Sequence, residues 1–138
     1  MKQLNCILLI DDNVDDNYFH SRVIRNANAA QHIKTTETGE EALEYFELGK
    51  RAPGQYPLPD LIFLDINMPG MNGFDLLEKI KEEKIITEDR PVIIVMLTSS
   101  LNPGDEKMAT EKYSNEIKAF QNKPLTQEVL NELIEKFF

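Results

Sequence analysis

A chain of 138 residues is long enough to bury one proper hydrophobic core and too short for two ordinary domains. With 41% hydrophobic and 28% charged residues it has the make-up of a folded globular protein and not of a disordered one. Its formal net charge of −9 works against non-specific attachment to nucleic acid or to an anionic membrane, and turns attention to metal cations, basic surfaces and other proteins as partners.

Cys6 is the only cysteine, which excludes an internal disulfide, and its place in the apolar run Cys6-Ile-Leu-Leu-Ile10 makes it a small buried hydrophobe. Met1-Lys-Gln-Leu-Asn5 enters that run at once and lacks a signal peptide's pattern. No apolar stretch approaches the roughly 20 residues that span a bilayer, so a cytoplasmic protein is expected.

The run from Cys6 to Ile10 reads as a first buried strand, stopped by Asp11-Asp12-Asn13. From Asp15 to about Ala27, Tyr18, Phe19, Val23 and Ile24 recur at helical spacing and predict a first helix. Asp15 and Asp16 fall in its first turn, where the helix dipole favours negative charge. His32 to Thr36 is a weak second strand, and Gly39-Glu-Glu-Ala-Leu-Glu-Tyr-Phe46 opens a second helix with Ala42, Leu43, Tyr45 and Phe46 as its apolar side. The Pro/Gly-rich stretch from Gly49 to Pro59 is a surface loop.

Asp60-Leu-Ile-Phe-Leu-Asp65 is a third strand whose last residue is a carboxylate, followed at once by a Pro/Gly/Asn turn through Gly73. Phe74 to Glu83 is helical. Pro91 to Leu97 is the most apolar run and predicts a central strand ending at Thr98-Ser99-Ser100. A polar helix from Pro103 to about Tyr113, a last strand over Glu116 to Gln121 broken at Asn122-Lys123-Pro124, and a helix over Thr126 to Phe138 complete the chain. In that helix Val129, Leu130, Leu133, Ile134 and Phe137 form a clear stripe.

Strand and helix thus alternate five times, the pattern of a doubly wound α/β domain with a parallel sheet. In such a sheet every strand's carboxyl end lies on one edge, the edge where ligands bind. Asp11, Asp12, Asp65, Thr98 and Lys123 should therefore meet, although they are spread along the whole chain. Three carboxylates held together repel one another, and a divalent cation relieves the repulsion. Hard oxygen ligands favour Mg²⁺. Asp65 could then attack phosphorus as a carboxylate nucleophile, while Lys123 neutralises charge on the transferring group and Thr98 donates a hydrogen bond to it. Each residue alone has a plainer reading: a turn, an N-cap, a strand end, a solvated lysine.

The acidic pair after the first strand, the strand-Asp-x-x-Met-Pro-Gly-Met-Asn-Gly turn, the Leu-Thr-Ser end of the fourth strand and the Lys-Pro after the fifth together resemble the receiver domains of two-component response regulators. The resemblance covers nearly the whole chain. It implies a CheY-like, flavodoxin-like fold of five parallel strands in the order 2-1-3-4-5 with five helices, and a single receiver domain over 1–138 with no output domain. It also implies that Asp65 accepts a phosphoryl group from a sensor histidine kinase or a histidine phosphotransfer protein. Asp12, Asp65 and the backbone carbonyl of Asn67 would ligate Mg²⁺, with Asp11 acting through a metal-bound water. Lys123 would pair with Asp65, and Thr98 and Phe120 would act as switch residues. Such a protein is no enzyme beyond weak self-phosphorylation from small donors and self-dephosphorylation. It would act by binding an unknown downstream protein, with a homodimer through the 103–138 face as an option.

Ser99 departs from the Ala or Gly usual after the switch threonine, which bears on access to the acyl phosphate. The long loop before the third strand, with Leu-Thr-Ser-Ser, resembles phytochrome-associated single-domain regulators. Other readings fit less well. A haloacid dehalogenase-type phosphohydrolase needs Asp-x-Asp-x-Thr/Val after the first strand, and a flavodoxin-like cofactor site needs small amide-rich residues where the two carboxylates stand. An EF-hand loop from Asp11 fails at Asp16 and Arg22. His20 and His32 lack the setting of a kinase phosphoacceptor and read as surface or helix-packing residues. A non-phosphorylated interaction scaffold on the same fold is the principal alternative.

Overall fold

The computed structural model describes residues 2–99 and 102–138; Met1, Ser100 and Leu101 lie outside the described residues, and with them Ser100 of the strand-ending Thr98-Ser99-Ser100. The elements run β1 (Leu4–Ile10), α1 (Val14–Asn26), β2 (Ala30–Thr36), α2 (Gly39–Arg51), β3 (Leu61–Leu64), α3 (Gly73–Glu82), β4 (Ile93–Thr98), α4 (Pro103–Lys107), β5 (Ile117–Asn122) and α5 (Gln127–Phe137). A π-helical turn, Met108–Lys112, extends α4. All four strand pairs are parallel, and the sheet order is β2-β1-β3-β4-β5, as the alternating pattern and the resemblance implied.

Side chains alternate across the strands and sort the core into two layers. Leu8, Ile10, Ile62, Leu64, Ile94 and Met96 face Ala42, Tyr45 and Phe46 of α2 and Phe74, Leu77 and Ile80 of α3. Ile7, Leu9, Leu61, Phe63, Val95 and Leu97 face Ile24 of α1 and Leu130, Leu133 and Ile134 of α5. The three central strands are buried on both faces, which is why they read as unbroken apolar runs. Cys6 is fully buried in β1.

Boundaries shift in three informative places. Gly49 lies inside α2, which runs on to Arg51, so the loop is shorter than the composition implied. The Tyr45 hydroxyl donates to Pro57 O at 2.6 Å and pins that loop to the helix. β2 begins at Ala30, two residues before the first residue expected, because backbone pairing with β1 from Leu4 onward outweighs its weak apolar pattern. Asp60 is not part of β3: its carboxylate accepts from the N–H groups of Asn5 and Cys6 at 2.8 and 3.1 Å and ties the start of β1 to the start of β3.

The largest revision concerns α1. Tyr18 and Phe19 were expected on its apolar side, yet they are 64% and 50% exposed, and the buried positions are Asn17, His20, Ser21 and Ile24. The Asn17 amide donates to the carbonyl of Asp11 at 2.9 Å, so the inward face of this helix is partly polar. No helix among the described residues is long and apolar enough to cross a membrane.

Candidate functional site

The sheet ladder continues one residue past β1, β3 and β5. Asp11 N–H bonds to Thr36 O at 3.1 Å, Asp65 N–H to Ile10 O at 3.0 Å and Lys123 N–H to Thr98 O at 2.9 Å. Three of the expected residues therefore leave the sheet from fixed backbone, side by side on its carboxyl edge, with Thr98 as the last residue of β4. Asp12 follows Asp11, and carboxylate oxygens of Asp11, Asp12 and Asp65 lie within 4.8 Å of one another. All five residues assigned to this edge from the sequence are brought together.

The exit from β3 is fixed just as tightly. Gly73 N–H bonds back to Ile66 O at 2.9 Å, and a Cβ at Gly73 would stand 2.5 Å from Asp65 O, so only glycine lets the start of α3 lie on the Asp65 backbone. Asn72 caps α3 in a reciprocal box with Asp75, each side chain bonded to the other's backbone N–H.

Asp11 and Asp65 are each 5% exposed, whereas Asp12 is open to solvent. Burial, and next the charge of Asp11, push the Asp65 carboxyl up from 3.8 to about 6; Lys123, the Thr98 hydroxyl and the backbone N–H of Asn67 pull the other way. Burial opposes the charge on Lys123, but hydrogen bonds to Asp11 and Asp16 and the field of Asp65 outweigh it, so the ammonium is held above the ordinary lysine range. Asp65 Oδ1 is buried without a hydrogen-bond partner. A cluster of two buried carboxylates, one of them with an unpartnered oxygen, and one exposed carboxylate is a donor set suited to a hard divalent cation.

Lys123 differs in detail from the implied pairing. Its Nζ lies 2.7 Å from Asp11 Oδ2 and 2.8 Å from Asp16 Oδ2, but 3.6 Å from Asp65 Oδ2. The last distance is an ion pair without a hydrogen bond. Asp16, explained from the sequence by the helix dipole alone, is thus a member of the site. Its backbone N–H is capped by Asn13 at 3.1 Å, and its carboxylate reaches across to the far end of the chain. The sequence signal is faint: an acid at the fifth position after Asp11 is what any helix start displays.

The remaining residues fall around this centre. Asn67 is exposed in the turn after Asp65, and Ser99 is exposed just beyond Thr98. Thr98 itself is fully buried. Phe120 is half-buried on β5 against the layer that holds Ala109, Tyr113 and Ile117. Of the two histidines, His20 is buried in α1 with its ring edge-on to Phe19, and His32 is exposed on β2.

Residues 7–135 match the family model of the response regulator receiver domain. The chain belongs to that family. A crystal structure of a two-component response regulator from Cytophaga hutchinsonii superposes with a TM-score of 0.83 at 30% identity, covering 98% of this receiver and 97% of that chain. The bacteriophytochrome response regulator AtBRR is similar at 27% identity and a TM-score of 0.70, over 97% of this receiver and 92% of that chain. The two-component response regulator ARR7 of Arabidopsis thaliana is 38% identical over 92 residues, or 64% of this receiver and 43% of that protein. This receiver spans from 21% to 79% of the length of the first curated relatives it matches. Receiver domains bind Mg²⁺ in an acidic pocket and take phosphoryl groups from histidine kinases or phosphotransfer proteins, and among the described residues Asp11, Asp12 and Asp65 form an acidic cluster that could hold such an ion.

Proposed function

We propose that Asp65 accepts a phosphoryl group from the phosphohistidine of a sensor kinase or phosphotransfer protein, and that the acyl phosphate changes what this receiver binds. The observation that carries the reading is Asp65 itself. It is a buried carboxylate at the carboxyl end of a central strand, with one oxygen unpartnered, a second 3.6 Å from an ammonium, and two further carboxylates within 4.8 Å.

In the transfer, an Asp65 oxygen forms a bond to phosphorus as the bond from phosphorus to the histidine nitrogen breaks, and the imidazole leaves with that electron pair. Asp12, Asp65 and the Asn67 carbonyl would hold Mg²⁺ directly, and Asp11 through a water. When bound, the ion offsets the repulsion among the carboxylates and the charge on the phosphoryl oxygens. Lys123 supplies the second positive charge, and the Thr98 hydroxyl, at the end of β4, donates to a phosphoryl oxygen. Phe120, half-buried on β5 two residues before the Asn122 that pairs with Thr98, would answer a shift of Thr98. Self-phosphorylation from small donors and self-dephosphorylation use the same groups.

Intact-protein mass spectrometry after incubation with phosphoramidate and Mg²⁺ tests this. One added phosphoryl group on the wild type and none on Asp65→Asn is the expected result. An unmodified wild type at saturating donor and metal would leave the fold as an interaction scaffold.

A further inference from the structure

We propose that Asp16 is a positioning residue that holds the Lys123 ammonium off Asp65, so that a phosphoryl group on Asp65 must take the ammonium away from the first turn of α1. The inference concerns the same site as the proposed function and its second half rests on that reading.

Lys123 Nζ makes its close contacts with Asp11 and Asp16, at 2.7 and 2.8 Å, and stands 3.6 Å from Asp65. An ammonium has three donors, and two are spent on carboxylates other than the proposed phosphoacceptor. Asp11 is fixed by the sheet ladder and by Asn13, whose N–H bonds to Asp11 Oδ1 at 2.9 Å. Asp16 sits on a different element. Its side chain is 35% exposed where that of Lys123 is 12% exposed, so the contact is partly screened on the Asp16 side and can be given up. A phosphoryl group adds about two negative charges and three acceptor oxygens beside Asp65, enough to outbid one partly exposed carboxylate for a lysine. The consequence is an exchange: phosphate on Asp65 and Asp16 compete for one cation, and Asp16 is left without it when the phosphate wins.

The test variant keeps the helix start intact, because the Asn13 cap bonds to the backbone N–H of Asp16 and not to its side chain. Two readouts separate this inference from the function proposed above. In the metal-free protein, a crystal structure of Asp16→Asn is expected to show Lys123 Nζ within hydrogen-bond distance of Asp65; a lysine still 3.6 Å away overturns the proposal whether or not Asp65 is ever phosphorylated. In a titration with Mg²⁺ and beryllium fluoride, a stand-in for the phosphoryl group, Asp16→Asn is expected to bind roughly threefold to fivefold tighter than wild type, the range a partly exposed ion pair supports. Asp16→Glu, which keeps the charge, should return the affinity toward wild type. Equal or weaker binding by Asp16→Asn overturns the exchange, while failure of the wild type to bind at all counts against phosphorylation and leaves the structural readout to decide Asp16. A lowered melting temperature with unchanged affinity would make Asp16 a helix-start residue only.

Discussion

Asp65 gives the site a measurable cost. In the folded chain its carboxyl is pushed up from 3.8 to about 6, burial first and Asp11 second. The folded, metal-free protein therefore keeps a proton that the unfolded chain releases, so the stability linked to this group is full below about pH 4 and is lost as the pH rises through 6. A shift of that size corresponds to roughly 3 kcal/mol at neutral pH. Asp65→Asn should accordingly stabilise the protein in EDTA by roughly 1–3 kcal/mol at neutral pH and by only a small part of that near pH 4, as read by urea unfolding. A gain that is the same at both pH values would mean that ionisation of Asp65 is not the source. His20 acts with the opposite sign: burial pushes its imidazole down, so its contribution is lost as the pH falls below the ordinary histidine value, and a His20→Gln background isolates the Asp65 slope.

Among the elements, α1 departs furthest from its sequence pattern. Its exposed Val14, Tyr18 and Phe19 sit on the helix that begins two residues after Asp12, and Arg22 covers Tyr18 with its guanidinium 5.9 Å from the ring centre. On the proposed reading, the apolar side chains that α1 leaves in water would supply a surface for the protein that delivers the phosphoryl group. Tyr18→Ala with Phe19→Ala is expected to slow transfer from the partner kinase by roughly tenfold or more, as for loss of aromatic anchors, and to leave phosphorylation by phosphoramidate unchanged. Equal slowing with both donors would place the defect in the site and not in docking. The exposure of Tyr18 and Phe19 has a physical cause. Spacing alone marks two adjacent aromatic residues as core, but the packing is decided by Asn17, whose amide reaches the carbonyls of Asp11 and Thr36 at 2.9 and 3.4 Å and turns its own side of the helix inward. The strand ends were legible for the converse reason: a buried parallel strand is an unbroken apolar run, so its last residue, and the carboxylate after it, stand out. Asp16 and Asp60 were hidden because an acid at a helix start or before a strand has so many ordinary uses that only a long-range partner gives it meaning.

For the molecule as a whole, the acidic edge makes stability depend on what it holds. A ligand that binds only the folded chain stabilises it by mass action, about 2.7 kcal/mol at one hundred times its dissociation constant. Millimolar Mg²⁺ at about pH 8 is expected to raise the melting temperature by several degrees, and the rise should vanish in Asp12→Asn with Asp65→Asn. A rise that survives in that double variant would put the ion elsewhere on a chain of net charge −9.

The contact between Asp16 and Lys123 joins residues 107 apart in sequence. During synthesis the acidic half of the site therefore exists long before its cation does, because Asp11, Asp12, Asp16 and Asp65 all precede the last strand. A chain still on the ribosome carries four neighbouring carboxylates without Lys123, and the charge that would admit a phosphoryl group arrives only when β5 has docked beside β4. On the proposed reading, competence to accept a phosphoryl group is thus acquired late, only after β5 has been made.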